Sequence, residues 1–154
     1  MNEKKIETFV KKYGETILKT YHTEAIKCIS SLPNGDICEE EITIDDFQKK
    51  QHFEGETSFL NNTVYYKGIF TYGKLNGPGI SKIDNEKYVG VFKDGKFHGQ
   101  GVLHNYEKEI HEGYFKNNEL NGIGKITLPN RNIIEGVFKD GILTGRGKIN
   151  IFNG

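Results

Sequence analysis

From Tyr66 onward, apolar and polar residues alternate with a period of two, in runs too short for helices and cut by turn residues. The run Tyr88-Val89-Gly90-Val91-Phe92 reads as one strand, Lys93-Asp94-Gly95-Lys96 as a tight turn, and about 99 to 104 as the strand that returns. Further turns at Asp84-Asn85-Glu86, His104-Asn105-Tyr106 and Pro129-Asn130-Arg131 link such hairpins into a meander. The pattern changes near the start. Ile6, Phe9, Val10, Tyr13, Ile17 and Tyr21 follow helical spacing, which predicts an amphipathic helix within residues 3–21. A lone helix of that length is marginal in water, so it is expected to pack on the first hairpin or on a partner.

The strand pattern is also periodic over a longer range. Gly68, Gly90, Gly113 and Gly136 fall 22, 23 and 23 residues apart, and two further series keep step: Gly77, Gly99, Gly122, Gly145, and Gly79, Gly101, Gly124, Gly147. Phe70, Phe92, Phe115 and Phe138 occupy one recurring slot, and Leu75, Phe97, Leu120 and Leu143 another. A period of this length marks stacked repeats. Glycine at two positions of the returning strand leaves room for rings on the neighbouring one. The turn slot Gly73, Gly95, Asn118 and Gly141 calls for a left-handed backbone, which Asn tolerates best after Gly.

The pattern Tyr88-x-Gly90-x-Phe92-x-x-Gly95-x-x-x-Gly99-x-Gly101 resembles the MORN repeat, a hairpin module of roughly 23 residues, in four copies between Tyr66 and Gly154. The leading Tyr is His111 and Ile134 in the last two copies. The resemblance implies a mainly β fold: an elongated, single-layer antiparallel β-meander of MORN-type hairpins, here with an N-terminal α-helix. It also implies a tethering or scaffolding role, with cytoskeletal and ciliary axonemal complexes as natural settings.

Three segments follow: the helix in 1–24, irregular hairpins with an acidic loop in 25–64, and the four repeats in 65–154. Leu32-Pro33-Asn34-Gly35-Asp36-Ile37 matches Leu128-Pro129-Asn130-Arg131-Asn132-Ile133, and Phe53-Glu54-Gly55 restores the repeat register. Six acids between Asp36 and Asp46 have no EF-hand spacing and read as a solvated loop.

Composition narrows the function. The formal charge is zero, divided as +1 over 1–24, −5 over 25–64 and +4 over 65–154. An array at +4 lacks the dense basic stripe of nucleic-acid binding. No apolar run reaches the ~20 residues of a membrane span. Two cysteines, Cys28 and Cys38, make no disulfide framework, and the expected setting is intracellular and cytoplasmic. The five histidines do not cluster by spacing, and no nucleophile motif or phosphate loop appears, so catalytic, cofactor and metal sites are expected to be absent.

Binding surfaces remain. The first is the ring row Tyr66, Phe70, Tyr88, Phe92, Phe115 and Phe138, either structural packing or a groove for a partner. The second is the last strand with Ile149, Ile151 and Phe152, an edge expected to be covered by a partner or a second copy unless the chain belongs to a longer one. The third is Lys93, Lys116 and Lys139, which repeat in phase before the turn, either solubilising or facing acidic proteins or anionic lipid heads. The leading expectation is a non-catalytic structural or adaptor subunit of a heteromeric assembly. A peripheral membrane tether and a regulatory module split from an enzyme are the alternatives.

Overall fold

The computed structural model describes residues 25–59 and 62–153. The helix expected in the first 24 residues therefore lies outside the described residues. From Ala25 the chain forms β1 (Ala25–Ser31), β2 (Ile37–Thr43), α1 (Ile44–Lys49), β3 (Phe53–Phe59), β4 (Val64–Thr71) and β5 (Lys74–Ile83). It continues through β6 (Glu86–Lys93), β7 (Lys96–His104), β8 (Ile110–Lys116), β9 (Glu119–Thr127), β10 (Ile133–Lys139) and β11 (Ile142–Asn150). Among the described residues, eleven strands form one open sheet in the order β11-β10-β9-β8-β7-β6-β5-β4-β3-β1-β2, and every pairing is antiparallel.

The meander is regular from β3 to β11 and departs from the expected order only at its start. There β3 pairs with β1 rather than with β2, so β2 becomes an edge and the chain crosses back through α1. The acidic stretch is also not the loop its charges suggest. Its first part is β2, and its second opens α1, where the Thr43 side chain accepts a 3.1 Å hydrogen bond from the Asp46 backbone N–H. Asp45 and Asp46 lie in the first turn, where a carboxylate complements the helix dipole. Two apolar residues fix the helix: Ile44 and Phe47 are buried, and the Phe47 ring meets Phe53 at 5.4 Å and Phe70 at 5.2 Å.

The ring face is the core. Phe53, Phe70, Tyr88, Phe92, Phe97, Phe115 and Phe138 are buried along one side of the sheet with Leu75, Leu103 and Leu120. Tyr88 stacks on Phe97 with centroids 3.9 Å apart, while Phe92 and Phe115 meet it edge-on at 5.0 and 5.2 Å. The glycines make this packing feasible. A Cβ at Gly79 would lie 3.3 Å from the Phe92 ring and 2.8 Å from the Lys67 carbonyl oxygen, and one at Gly101 would overlap the Tyr88 ring. Gly55 pairs with Gly68, so the register expected at Phe53-Glu54-Gly55 is present.

Each hairpin of the array turns through two residues of positive φ, as its right-handed twist requires. The second is the expected slot, with φ of 78°, 79°, 75° and 80° at Gly73, Gly95, Asn118 and Gly141. The first, at 49° in each case, is Tyr72, Asp94, Asn117 or Asp140, a strained position that the glycine pattern does not announce. These turns tie neighbours together. Gly95, Asn118 and Gly141 donate their backbone N–H groups to the carbonyls of Leu75, Phe97 and Leu120 in the preceding hairpin, at 2.9, 3.1 and 2.9 Å. Before the first turn there is no such hairpin, and α1 stands in: Tyr72 donates to the Lys50 carbonyl at 2.9 Å, and Gly73 packs on Gln48.

Candidate interaction surface

A register shift recurs within each hairpin of the array, between Gly68 and Phe70, Gly90 and Phe92, Gly113 and Phe115, and Glu135 and Val137. Such a bulge adds twist and leaves a carbonyl out of the ladder. In the second hairpin the Tyr88 hydroxyl donates to the Val91 carbonyl at 3.0 Å. In the fourth, where Ile134 stands in place of the Tyr, the Thr144 hydroxyl donates to the Val137 carbonyl at 3.0 Å. A polar slot that looks decorative in sequence thus replaces a missing phenol.

The bulge also fixes which residues face away from the rings. Val89, Val91, Gln100, Val102, Glu112, Tyr114, Ile123, Lys125, Glu135, Val137, Arg146 and Lys148 alternate with the buried positions and lie on the opposite side of the sheet. Val89 pairs with Val102 in one row, and Gln100 with Tyr114 and Ile123 with Val137 in the next, where Tyr114, Ile123 and Val137 make an apolar stripe. Ile123 is 79% exposed, and Val89, Tyr114 and Val137 are 43, 42 and 50% exposed. Beside this stripe the Val89–Val102 row continues as alternating charge through Glu112, Lys125, Glu135 and Lys148, in which Lys125 and Glu112 are bridged at 3.3 Å. Glu112, Lys125, Glu135 and Lys148, with Gln100, Ile123 and Arg146, line a shallow groove of about 840 Å³ floored by Gly113, Gly124, Gly136 and Gly147. Side-chain-free positions therefore serve both faces.

The structure separates the residues singled out from sequence. Phe70, Tyr88, Phe92, Phe115 and Phe138 are buried in the core, and Tyr66 is partly buried against it. Ile149, Ile151 and Phe152 are exposed; the tail returns toward the β9–β10 turn, where the Phe152 N–H donates to Asn132 Oδ1 at 3.0 Å and Arg131 covers the ring at 5.0 Å. Lys93, Lys116 and Lys139 are all exposed, but Asp94, Asp140 and Glu119 occupy the same turns and dilute the rim's charge. The outer stripe is the feature that the sequence reading missed. Its signal was the apolar residue between consecutive buried positions, as at Val89, Val91 and Ile123.

Chemistry is sparse. Among the described residues no three His, Cys, Asp or Glu side chains gather as a metal site, and no helix is long and apolar enough to cross a membrane. Burial pushes the Cys28 thiol up to about 11, away from thiolate reactivity. Glu109 is held below the usual carboxylate range by hydrogen bonds from Asn105 and His111, a local network that pins the loop before β8. One carboxyl is displaced the other way. Glu86 lines a small cavity with Tyr66, Ser81, Ile83, Phe92 and Phe97, and burial, helped by the charge of Glu107, pushes its pKa up to about 7.

A family model described as the MORN repeat matches residues 66–85, 88–105 and 111–133. Comparison with curated proteins returns no match. The three matched ranges fall on the hairpins β4–β5 and β6–β7 and on β8–β9 running into β10, each with the same bulge, glycines and buried ring. MORN repeats are a non-catalytic type commonly associated with binding to proteins or membrane lipids. Sequence match and hairpin geometry agree segment by segment: residues 66–133 carry three MORN repeats.

Proposed function

We propose that this protein is a non-catalytic scaffold or adaptor that recognises a protein partner across the outer face of its repeats. One observation carries the reading: the rings are consumed in building the sheet, while Tyr114, Ile123 and Val137 stand exposed on the other side, beside a row of charges of both signs that ends on Val102 and Val89. Interfaces combine such an apolar centre with a polar rim. Burying Ile123 and Val137 alone would contribute about 3 kcal/mol of transfer free energy before the costs of association. The family supports a binding role. We place the chain in a cytoplasmic assembly, cytoskeletal or ciliary axonemal in kind, with the C-terminal Ile149, Ile151 and Phe152 as a supplementary contact.

The test compares variants on one readout. Wild-type protein recovers its partner from the native source; Ile123→Asp with Val137→Asp loses it, and Lys93→Ala with Lys116→Ala and Lys139→Ala keeps it. Retention by the aspartate pair would sink the reading. A second reading, a membrane tether, rests on the three in-phase exposed lysines; sedimentation with vesicles containing phosphatidylserine at physiological salt, lost in the triple alanine variant, would favour it instead.

A further inference from the structure

Among the described residues, the two edges of the sheet, β2 and β11, carry opposite charge in matching positions. On β2, Glu39 and Glu41 pair with Ile29 and Lys27 and so lie on the outer face with them, while Glu40 and Ile42 pair with the buried Cys28 and Ile26 on the ring face. On β11, Arg146 and Lys148 lie on the outer face, and Leu143, Gly147 and Ile149 on the ring face. Each charge pair has a partial counterion within the chain. Lys27 bridges Glu39 at 2.9 Å and faces Glu41, which leaves one negative charge in excess; Glu135 pairs with Lys148, which leaves one positive charge in excess.

Because every pairing is antiparallel and ten steps separate the two edges, β2 and β11 run in the same direction. We propose that the partner of each edge is the opposite edge of a second copy of this chain, β2 of one copy lying parallel to β11 of the next. In that register Glu39 stands beside Arg146 and Glu41 beside Lys148, both on the outer face. On the ring face Ile42 stands beside Ile149, which is 64% exposed in the single chain, and Glu40 faces the bare Gly147. Neighbouring strands approach to about 4.8 Å, close enough for such pairs to meet. Symmetric pairing of either edge with itself sets acids against acids or bases against bases, and like charges directly opposite destabilise a sheet. The joint is thus heterologous, and a repeated heterologous joint builds an open filament with a continuous sheet rather than a closed dimer. It leaves the outer stripe free and does not depend on the partner reading above.

Sedimentation velocity on the full 154-residue chain tests this. The expected result is a weight-average mass that keeps rising with protein concentration and falls when sodium chloride is added. Glu39→Lys with Glu41→Lys, and separately Arg146→Glu with Lys148→Glu, each leave monomer, and an equimolar mixture of the two variants restores assembly because each supplies the edge the other lost. Monomer at every concentration, growth that stops at a dimer, assembly by either variant alone, or failure of the mixture to associate would each overturn the proposal. Ile123→Asp with Val137→Asp assembles like the wild type, which keeps this outcome separate from the fate of the partner reading.

Discussion

A methyl group added at Gly90 would sit 2.6 Å from the Gln100 carbonyl oxygen and 2.7 Å from the Tyr88 hydroxyl, between two strands that cannot part without losing their ladder. Gly90→Ala is therefore expected to destabilise the fold by about 2–3 kcal/mol, as overpacking of a tight core does. Gly145 has nothing within 4 Å of the same position, and Gly145→Ala meets only the left-handed strain of its φ of 61°, about 1 kcal/mol. Urea denaturation of the two variants side by side checks the ordering, and equal losses would refute it. Glu86 gives a residue-scale prediction in pH. Its folded pKa of about 7 stands above the ordinary 4.5, so the folded state holds the proton more tightly and the contribution is fully present below about 4.5. That contribution is lost as pH rises through 7, at most about 3 kcal/mol over the window. Glu86→Gln should flatten stability between pH 5 and 8 and unfold at higher urea than the wild type at pH 8; an unchanged pH profile would show that Glu86 is not the responsible group.

At the scale of elements, α1 does for the first hairpin what each turn does for the next, closing the ring face with Phe47 and meeting Tyr72 and Gly73 with backbone and side chain. Phe47→Ala is expected to cost about 3–5 kcal/mol, since it opens a cavity against both Phe53 and Phe70. Hydrogen exchange should localise the damage to β3 and β4. If protection there is unchanged, the helix is an ornament rather than a cap. This element was invisible in sequence because six residues give only two apolar positions, Ile44 and Phe47, and acids surround them. The hairpins were legible because three glycine series and a ring share one period. Even the loop likeness between Leu32 and Leu128 holds in detail: Gly35 and Arg131 donate to those carbonyls at 2.9 and 2.8 Å, and Asn34 and Asn130 accept from the residue two positions on. The strand order at β1 and β2 was not legible, because a local pattern does not say which side of β1 the chain returns to. Nor was the outer stripe, since conspicuous aromatics drew attention to the face that packing consumes.

Across the whole molecule, burial is uneven, and that predicts how the sheet opens. Tyr88, Phe92, Phe97 and Phe115 form one ring cluster over β6 to β8, whereas β11 is exposed at every position except Leu143 and Asn150, which are partly buried. In a stacked array each hairpin is held by its neighbours, so local stability follows the number and quality of those contacts. Backbone exchange should then be slowest in β6, β7 and β8 and fastest in β11, with β10 intermediate because Phe138 is still buried under Gly124. Two substitutions sharpen the point: Phe97→Ala removes a ring in contact with Tyr88, Phe92 and Phe115 and should lower global stability by about 3–5 kcal/mol. Leu143→Ala, at a half-covered site, should cost about 1–2 kcal/mol and appear mainly as faster exchange in β10 and β11. Uniform exchange along the sheet, or equal global losses for the two variants, would mean that the sheet unfolds as one block and that its last hairpin is not the point at which it opens.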